Sequence, residues 1–292
     1  MNTENYLKVK KLIKNADAIV IGAGAGLSTS AGYVYAGERF EKYFEDFEYK
    51  YKFNDMYSGG FYPYQTLEEY WAYWSRYIYV NRYMKIPKST YEDLYEIVKD
   101  KNYFVITTNV DHCFQRAGFD KNKMFYTQGD YGLFQCSKPC HNKTYDNEDV
   151  IRKMIESQGF RISDDGDLIA TENVKMEIDT DLIPKCPVCG EPMTMNLRSD
   201  DTFVEDEYWD IHSKLYAAFL RKNKNKNILF LEFGVGFNTP SIIRYPFENM
   251  TYHFENANLV RVNKGFEHIS NELGNKAIGF DEDINKFLKE VK

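Results

Sequence analysis

The chain reads as an α/β protein with a doubly wound, parallel, Rossmann-like sheet, and three observations lead there. Short apolar runs of strand length recur at 18–21, 103–106, 124–127, 228–233 and 259–262. Segments with helical spacing of apolar residues separate them, the alternation that builds a parallel sheet covered on both faces. Several runs end in glycine or a small polar residue, at the strand ends where open α/β sheets bind ligands.

Residues 4–16 set Leu7, Val9, Leu12 and Ile13 at helical spacing opposite lysines, a short helix leading into the first strand. That strand runs into Gly22, Gly24 and Gly26, and Ser28, Thr29 and Ser30 then offer helix N-caps. Strand, glycine loop and helix would bring backbone N–H groups and a helix dipole to one point, which suits a pyrophosphate. The spacing is Gly-x-Gly-x-Gly rather than the Gly-x-Gly-x-x-Gly of ordinary dinucleotide folds. A tight turn without a ligand therefore stays open on this stretch alone.

Eighteen of the chain's 48 aromatic residues fall between Phe40 and Tyr83, so this region needs its own explanation. Thr66 with Glu69 marks a helix start, and Leu67, Tyr70, Trp71, Trp74, Tyr77 and Ile78 share one helical face. The segment is either an aromatic-rich helical core or a groove around a long apolar substituent; composition does not separate them. Residues 90–100 read as a helix before the strand at 103–106. Asn109 and Asp111 stand just past that strand, at the ligand-binding end, unless they merely cap the next helix. Gln128-Gly129 repeats the arrangement after the strand at 124–127.

Four of the five cysteines form two close pairs, Cys136/Cys140 as C-x3-C and Cys186/Cys189 as C-x2-C within KCPVCGEP. Such pairs suit a tetrahedral thiolate zinc site, with reduced free thiols as the alternative. Four thiolates close the coordination shell, so the zinc is structural, and His141 is a substitute ligand the pattern does not need. Residues 142–185 are then an insertion within the zinc module. Cys113 reads as an ordinary semi-buried thiol.

Residues 206–222 look helical, and a basic turn leads to the most apolar strand, at 228–233. Gly234 and Gly236 form a second glycine loop with Val235 between them. Asn238 or Thr239 would cap a helix whose first residue is Pro240. Asn263 closes the strand at 259–262, and the tail forms a terminal helix. The expected organisation is a nucleotide-binding domain over 1–130 and 206–292, with a helical aromatic insertion at 38–90, and a zinc module over 131–205.

A net charge of −7 argues against nucleic acid or an anionic membrane as the main partner. No apolar run is long enough for a membrane span, and the N-terminus lacks a signal peptide's apolar core, so a cytoplasmic protein is expected.

With these pieces assembled, the chain resembles the sirtuins over nearly its full length. GAGLSTSAG at 24–32 is similar to their Gly-Ala-Gly nucleotide loop, bringing in Gly24, Ala25, Gly26 and Ser28. TTNVD at 107–111 resembles Thr-Gln-Asn-x-Asp, and RAG at 116–118 continues it. Gln128-Gly129 stands where the family has a catalytic His-Gly. The cysteine pairs follow in the family's order. Gly234 to Thr239 replaces a Gly-Thr-Ser loop, and Asn263 falls where an Asn holds the adenosine ribose.

The departures point to one branch. The deacylase Ile-Pro-Asp-Phe-Arg motif is absent, and Arg39-Phe40 comes slightly later; Thr108 replaces a Gln; MNLRSDD replaces the peptide-binding Phe-Gly-Glu. The pattern is similar to the macrodomain-linked, class M sirtuins, associated with ADP-ribosylation of a lipoyl-carrying glycine-cleavage H-like protein. The resemblance implies NAD as co-substrate and structural zinc. It implies a protein acceptor, expected to be that lipoyl carrier, with a macrodomain de-ADP-ribosylase as antagonist. It further implies that Asn109 and Asp111 bind the nicotinamide carboxamide, that Gln128 orients the nicotinamide ribose, and that Arg39 contacts the diphosphate or the acceptor.

In sirtuin chemistry nicotinamide leaves C1′ of the ribose. Deacylation then needs a histidine to help deprotonate a ribose hydroxyl. Gln128 has no basic site for this, and losing a general base costs about 10²–10⁴-fold. Direct capture of C1′ by a protein nucleophile avoids that step, with Asp111 as the nearby carboxylate to take its proton. A deacylase of altered acyl preference and a non-catalytic NAD or ADP-ribose sensor remain as alternatives.

Overall fold

A computed structural model describes residues 2–292, and the chain divides into two compact units. One contains residues up to 32, 87–128 and 207–292; the other contains 33–86 and 129–206. Elements below are numbered along the chain.

The first unit begins with α1 (Asn2–Asn15), β1 (Ala18–Ala23) and α2 (Ala25–Ser30). It continues through α6 (Thr90–Val98), β2 (Tyr103–Thr107), α7 (Cys113–Arg116) and β3 (Met124–Tyr126). It closes with α9 (Glu207–Asn223), β9 (Ile228–Phe233), α10 (Arg244–His253), β10 (Ala257–Val262), β11 (Ala277–Phe280) and α11 (Ile284–Val291). Its sheet has the order β11-β10-β9-β1-β2-β3, with every pairing parallel. Parallel strands covered on both faces must be apolar throughout, and every residue of β1 and β9 is buried. Val20, Phe104, Ile106, Phe230, Ile243, Phe247 and Leu259 fill one core, each large side chain contributing roughly 1.5–3 kcal/mol by burial.

The register decides what the sheet can hold. Ala23 pairs with both Thr107 and Phe233, and Phe233 pairs with Val262. The chain leaves these four strands in one row, so the loops beginning at 24, 108, 234 and 263 stand side by side. Strand order reverses about β1, where doubly wound sheets open a ligand crevice.

Three local expectations are corrected in this unit. Ser28, Thr29 and Ser30 do not cap the helix that follows the loop; α2 starts directly after Gly24, Thr29 Oγ1 donates back to the Ala25 carbonyl at 3.1 Å, and Ser30 Oγ instead accepts the Asn285 N–H in the first turn of α11 at 2.9 Å. The helix after the second glycine loop starts at Arg244, not at Pro240. A start at 240 would put Pro246 inside the helix, breaking a backbone bond. A start at 244 puts it in the first turn, where the missing N–H has no intrahelical partner. Cys113 is fully rather than partly buried, at the start of α7 where its N–H bonds the buried Asp111 carboxylate.

The second unit holds α3 (Glu38–Tyr51), α4 (Met56–Gly60), α5 (Leu67–Ile78), β4 (Gly129–Cys136), β5 (Tyr145–Asp146), α8 (Glu148–Ser157), β6 (Phe160–Ile162), β7 (Leu168–Ala170) and β8 (Met193–Leu197). β4 is flanked by β5 and β8 in an antiparallel sheet, and β6 pairs with β7. Thr66 Oγ1 accepts the Glu69 N–H at 3.2 Å, so α5 starts where its capping pattern said. The helix is nevertheless buried almost all round, including Ala72, Tyr73, Ser75 and Arg76, while Leu67 is exposed. Segment 142–185 explains this. Arg76 pairs with Asp46 (2.7 and 2.8 Å) and reaches Gln158 just after α8 (2.7 Å), lying between the rings of Phe47 and Phe160. Phe40 stacks on Phe44, and Phe44, Phe47 and Tyr73 meet tilted or edge-on, so these buried rings of the aromatic stretch form a packed core while Tyr49, Tyr57 and Phe61 stay exposed.

Candidate active site

The two glycine loops of the first unit touch through their backbones. A Cβ on Gly24 would lie 2.7 Å from the Gly234 carbonyl oxygen, and one on Gly26 would lie 2.6 Å from the Gly234 Cα. Gly234 itself has φ +63, where a side chain would be strained. The Gly24 N–H donates to the Phe233 carbonyl (3.0 Å) and the Gly26 N–H to the Gly234 carbonyl (3.0 Å). The glycines are thus demanded by loop-to-loop contact, a reason the sequence does not display. Ala25, Gly236 and Asn238 are exposed at this end, Gly26 and Thr239 are half-buried, and Val235 is buried. Asn263 Nδ2 donates to the Val235 carbonyl at 2.9 Å, joining the loop after β10 to the second glycine loop.

Asn109, Asp111 and Ser28 meet beside the first loop, all nearly buried. Asn109 Nδ2 donates to the Gly24 carbonyl (3.0 Å) and to the Tyr91 hydroxyl (3.2 Å). Both amide hydrogens are engaged, so Asn109 presents only Oδ1 to a ligand. The Ser28 hydroxyl donates to Asp111 Oδ2, which leaves the Tyr91 O–H to donate to Ser28 Oγ at 2.7 Å. The Cys113 N–H holds Asp111 Oδ1 at 3.0 Å. Burial, then the Asp111 charge, pushes the Tyr91 phenol well above its ordinary value, so it remains a donor. Tyr91 was missed from sequence: TYEDLYEIV carries only a helical signal, and this contact spans 83 residues from Ser28 to Asp111 and 63 to Tyr91.

Gln128 follows β3, half-buried, with Nε2 donating to Thr127 Oγ1 at 3.4 Å. Thr127 is fixed by the Thr107 carbonyl (2.9 Å from its N–H) and the Trp209 indole (3.2 Å). Gln128 therefore stands at a hydrogen-bonded strand end with most of its hydrogen-bonding capacity unused among the described residues.

Arg39 and Phe40 belong to the second unit. Phe40 is 1% exposed and stacks on Phe44, within the aromatic core. Arg39 donates to Asn81 Oδ1 (2.8 Å), the Val34 carbonyl (3.1 Å) and the Val80 carbonyl. A π-turn over Tyr79–Tyr83 explains the last contact: the Met84 N–H bonds Tyr79 instead of Val80, freeing that carbonyl. Burial pulls the Arg39 pKa down, and its partners are neutral.

Cys136, Cys140, Cys186 and Cys189 bring their sulfurs within 4.8 Å of one another, with Cys136–Cys189 at 3.6 Å and Cys140–Cys186 at 3.7 Å. Tetrahedral zinc with Zn–S near 2.3 Å needs sulfurs about 3.8 Å apart, so the four fit that ion. Burial pushes the Cys186 thiol up, but the N–H groups of Cys189 and Val188 outweigh it and bring it down to about 7. His141 Nδ1 lies 3.0 Å from Cys140 Sγ and its Nε2 bonds Tyr145, outside a complete set of four.

No protein-family model matches the chain. It is 39% identical over 281 residues to a Staphylococcus aureus protein named "Protein ADP-ribosyltransferase", covering 96% of this chain and 84% of that one. The chain belongs to the protein ADP-ribosyltransferases. A Fusarium oxysporum f. sp. cubense protein named "Probable bifunctional ADP-ribose hydrolase/ADP-ribosyltransferase" is 28% identical over 265 residues, 88% of this chain but 42% of its own. Among solved structures, Sir2 with a p53 peptide and NAD+ superposes with TM-score 0.56 at 17% identity, over 100% of this chain and 97% of that one. Sir2Tm bound to a propionylated peptide gives 0.55 at 17% identity over the same shares. These likenesses show that this transferase has the sirtuin fold. Among the described residues, no helix is long and apolar enough to cross a membrane.

Proposed function

We propose that this transferase moves ADP-ribose from NAD to a lipoyl-carrying, glycine-cleavage H-like protein, with release of nicotinamide. The observation that carries the reading is Gln128: an amide, with no titratable proton, on the strand end beside Thr127. It can hold ribose hydroxyls by hydrogen bonds and cannot act as the base that acyl-lysine chemistry needs. The Asn109 Oδ1, left unused by the chain, accepts from the carboxamide of nicotinamide. The glycine loops, with Asn238 and Thr239, face the diphosphate, and Asn263 the adenosine ribose. As nicotinamide's bond to C1′ breaks, the acceptor's nucleophile bonds that carbon and its proton passes to Asp111.

The bifunctional name of the Fusarium relative supports an ADP-ribose hydrolase as the antagonist that removes the modification, a role the family resemblance gives to a macrodomain. The test is incubation with labelled NAD and the carrier protein in lipoylated and unlipoylated forms. Label should enter the lipoylated carrier, and Gln128→Ala or Asn109→Ala should abolish it. Absence of transfer to every lipoylated carrier removes this choice of acceptor. Robust turnover of acyl-lysine peptides by the wild-type chain removes the chemical argument.

A further inference from the structure

We infer that Arg244 is a positioning residue for the nucleotide site, one buried guanidinium that fixes two ligand-facing loops against each other. The inference rests on the dinucleotide reading above. Arg244 is the first residue of α10 and only 2% exposed. Its Nη1 donates to the carbonyls of Val235 (3.3 Å) and Phe266 (3.0 Å), and its Nη2 to that of His268 (2.8 Å). The guanidinium carbon lies 4.4 Å from the centre of the Phe237 ring, and that ring meets Phe266 edge-on at 5.9 Å. These contacts fall on 235–237 and 266–268, within the loops that carry Gly236, Asn238 and Thr239 on one side and follow Asn263 on the other.

The guanidinium's hydrogen bonds go to these carbonyls, and its ion pair with Glu232 is the longer contact. Glu232, the acid next to it, is held by Arg261 through two hydrogen bonds of 2.6 and 2.9 Å and lies 3.8 Å from Arg244 Nη1. The Val235 carbonyl therefore receives two donors, the Asn263 amide and the Arg244 guanidinium. Without Arg244, Asn263 alone would tie that carbonyl, and a residue meant to meet ribose would become the loop's anchor. A planar fork can serve three carbonyls at fixed angles; a lysine ammonium cannot.

The test uses Arg244→Met and Arg244→Lys in the full chain, the lysine variant serving should the methionine one fail to fold. ADP-ribose binding by calorimetry should weaken about 10- to 100-fold, and KM for NAD should rise by a similar factor with kcat near wild type. Amide exchange should quicken at 234–239 and 263–268 but not in β1 or β2. Glu232→Gln, which removes the buried acid's charge while keeping Arg244 as donor to all three carbonyls, supplies the comparison for a purely structural role. A folded Arg244 variant with wild-type ADP-ribose affinity overturns the inference, as does an affinity loss matched by Glu232→Gln at equal Tm. A wild-type chain that binds neither ADP-ribose nor NAD overturns the dinucleotide reading instead.

Discussion

Replacing Gly26 by alanine sets two local effects against each other. Gly26 sits inside α2, where alanine ordinarily stabilises a helix by about 1 kcal/mol relative to glycine. Here the new Cβ would stand 2.6 Å from the Gly234 Cα and 3.0 Å from its carbonyl oxygen, both rigid backbone atoms. Ordinary contact begins at 3.4 Å, so the two loops must part by close to an ångström, weakening the Gly26 N–H bond to Gly234. Overpacking of this kind costs about 1–3 kcal/mol, enough to reverse the helix gain. The net expectation is a loss of about 0–2 kcal/mol, read as a Tm lower by up to several degrees. The functional effect should be larger, because about 1 Å of misplacement at a reacting geometry costs roughly 10²-fold. Initial rates of ADP-ribose transfer with NAD varied, alongside thermal unfolding, measure both. A variant with raised Tm and unchanged NAD kinetics would show that the loops do not depend on this close approach.

Asn109→Asp would face a carboxylate oxygen toward the Gly24 carbonyl, where a donor now stands at 3.0 Å; transfer should fall at least 10²-fold, by about 3 kcal/mol or more, measured by label incorporation. Chelation of zinc should lower the Tm and loosen amide exchange around Cys136, Cys140, Cys186 and Cys189, and added zinc should restore both. Burial pushes the Asp93 carboxyl up, but Lys292 at 2.7 Å and the Ser89 hydroxyl outweigh it and hold it below its ordinary value. A depressed carboxylate adds stability above its unfolded pKa and loses it as pH falls through the folded one. Asp93→Asn should therefore be less stable than wild type at pH 7, by about 0.2–1 kcal/mol for a pair exposed on the lysine side, with the gap closing in thermal scans as pH falls below the ordinary carboxylate range. A gap that persists in acid would assign the loss to packing.

Apolar runs and glycine punctuation placed β1, β2, β3, β9 and β10, because fully covered parallel strands have to be apolar along their length. β11 escaped that reading: AIGF is short and sits after an irregular turn. Glu232 and Arg261 escaped for a different reason. Charged residues inside strands look solvent-facing, yet the register sets them directly opposite each other across β9 and β10, where they pair fully buried. The face of α5 was misjudged in the same way, since Arg76 reads as polar surface until Asp46 and Gln158 arrive to satisfy it.

What the sequence determined by itself was local and periodic: strand-length apolar runs, the Thr66 cap, the cysteine spacing, and an amide at Gln128. These are properties of residues a few positions apart, which backbone geometry and side-chain chemistry decide without reference to the rest of the chain. Only the tertiary structure decided which loops share the sheet's end, that Tyr91 turns the Asn109 amide, and that Arg244 spans two loops. Those facts join residues far apart in sequence through single hydrogen bonds, and a bond of that kind leaves no pattern in the neighbouring residues of either partner.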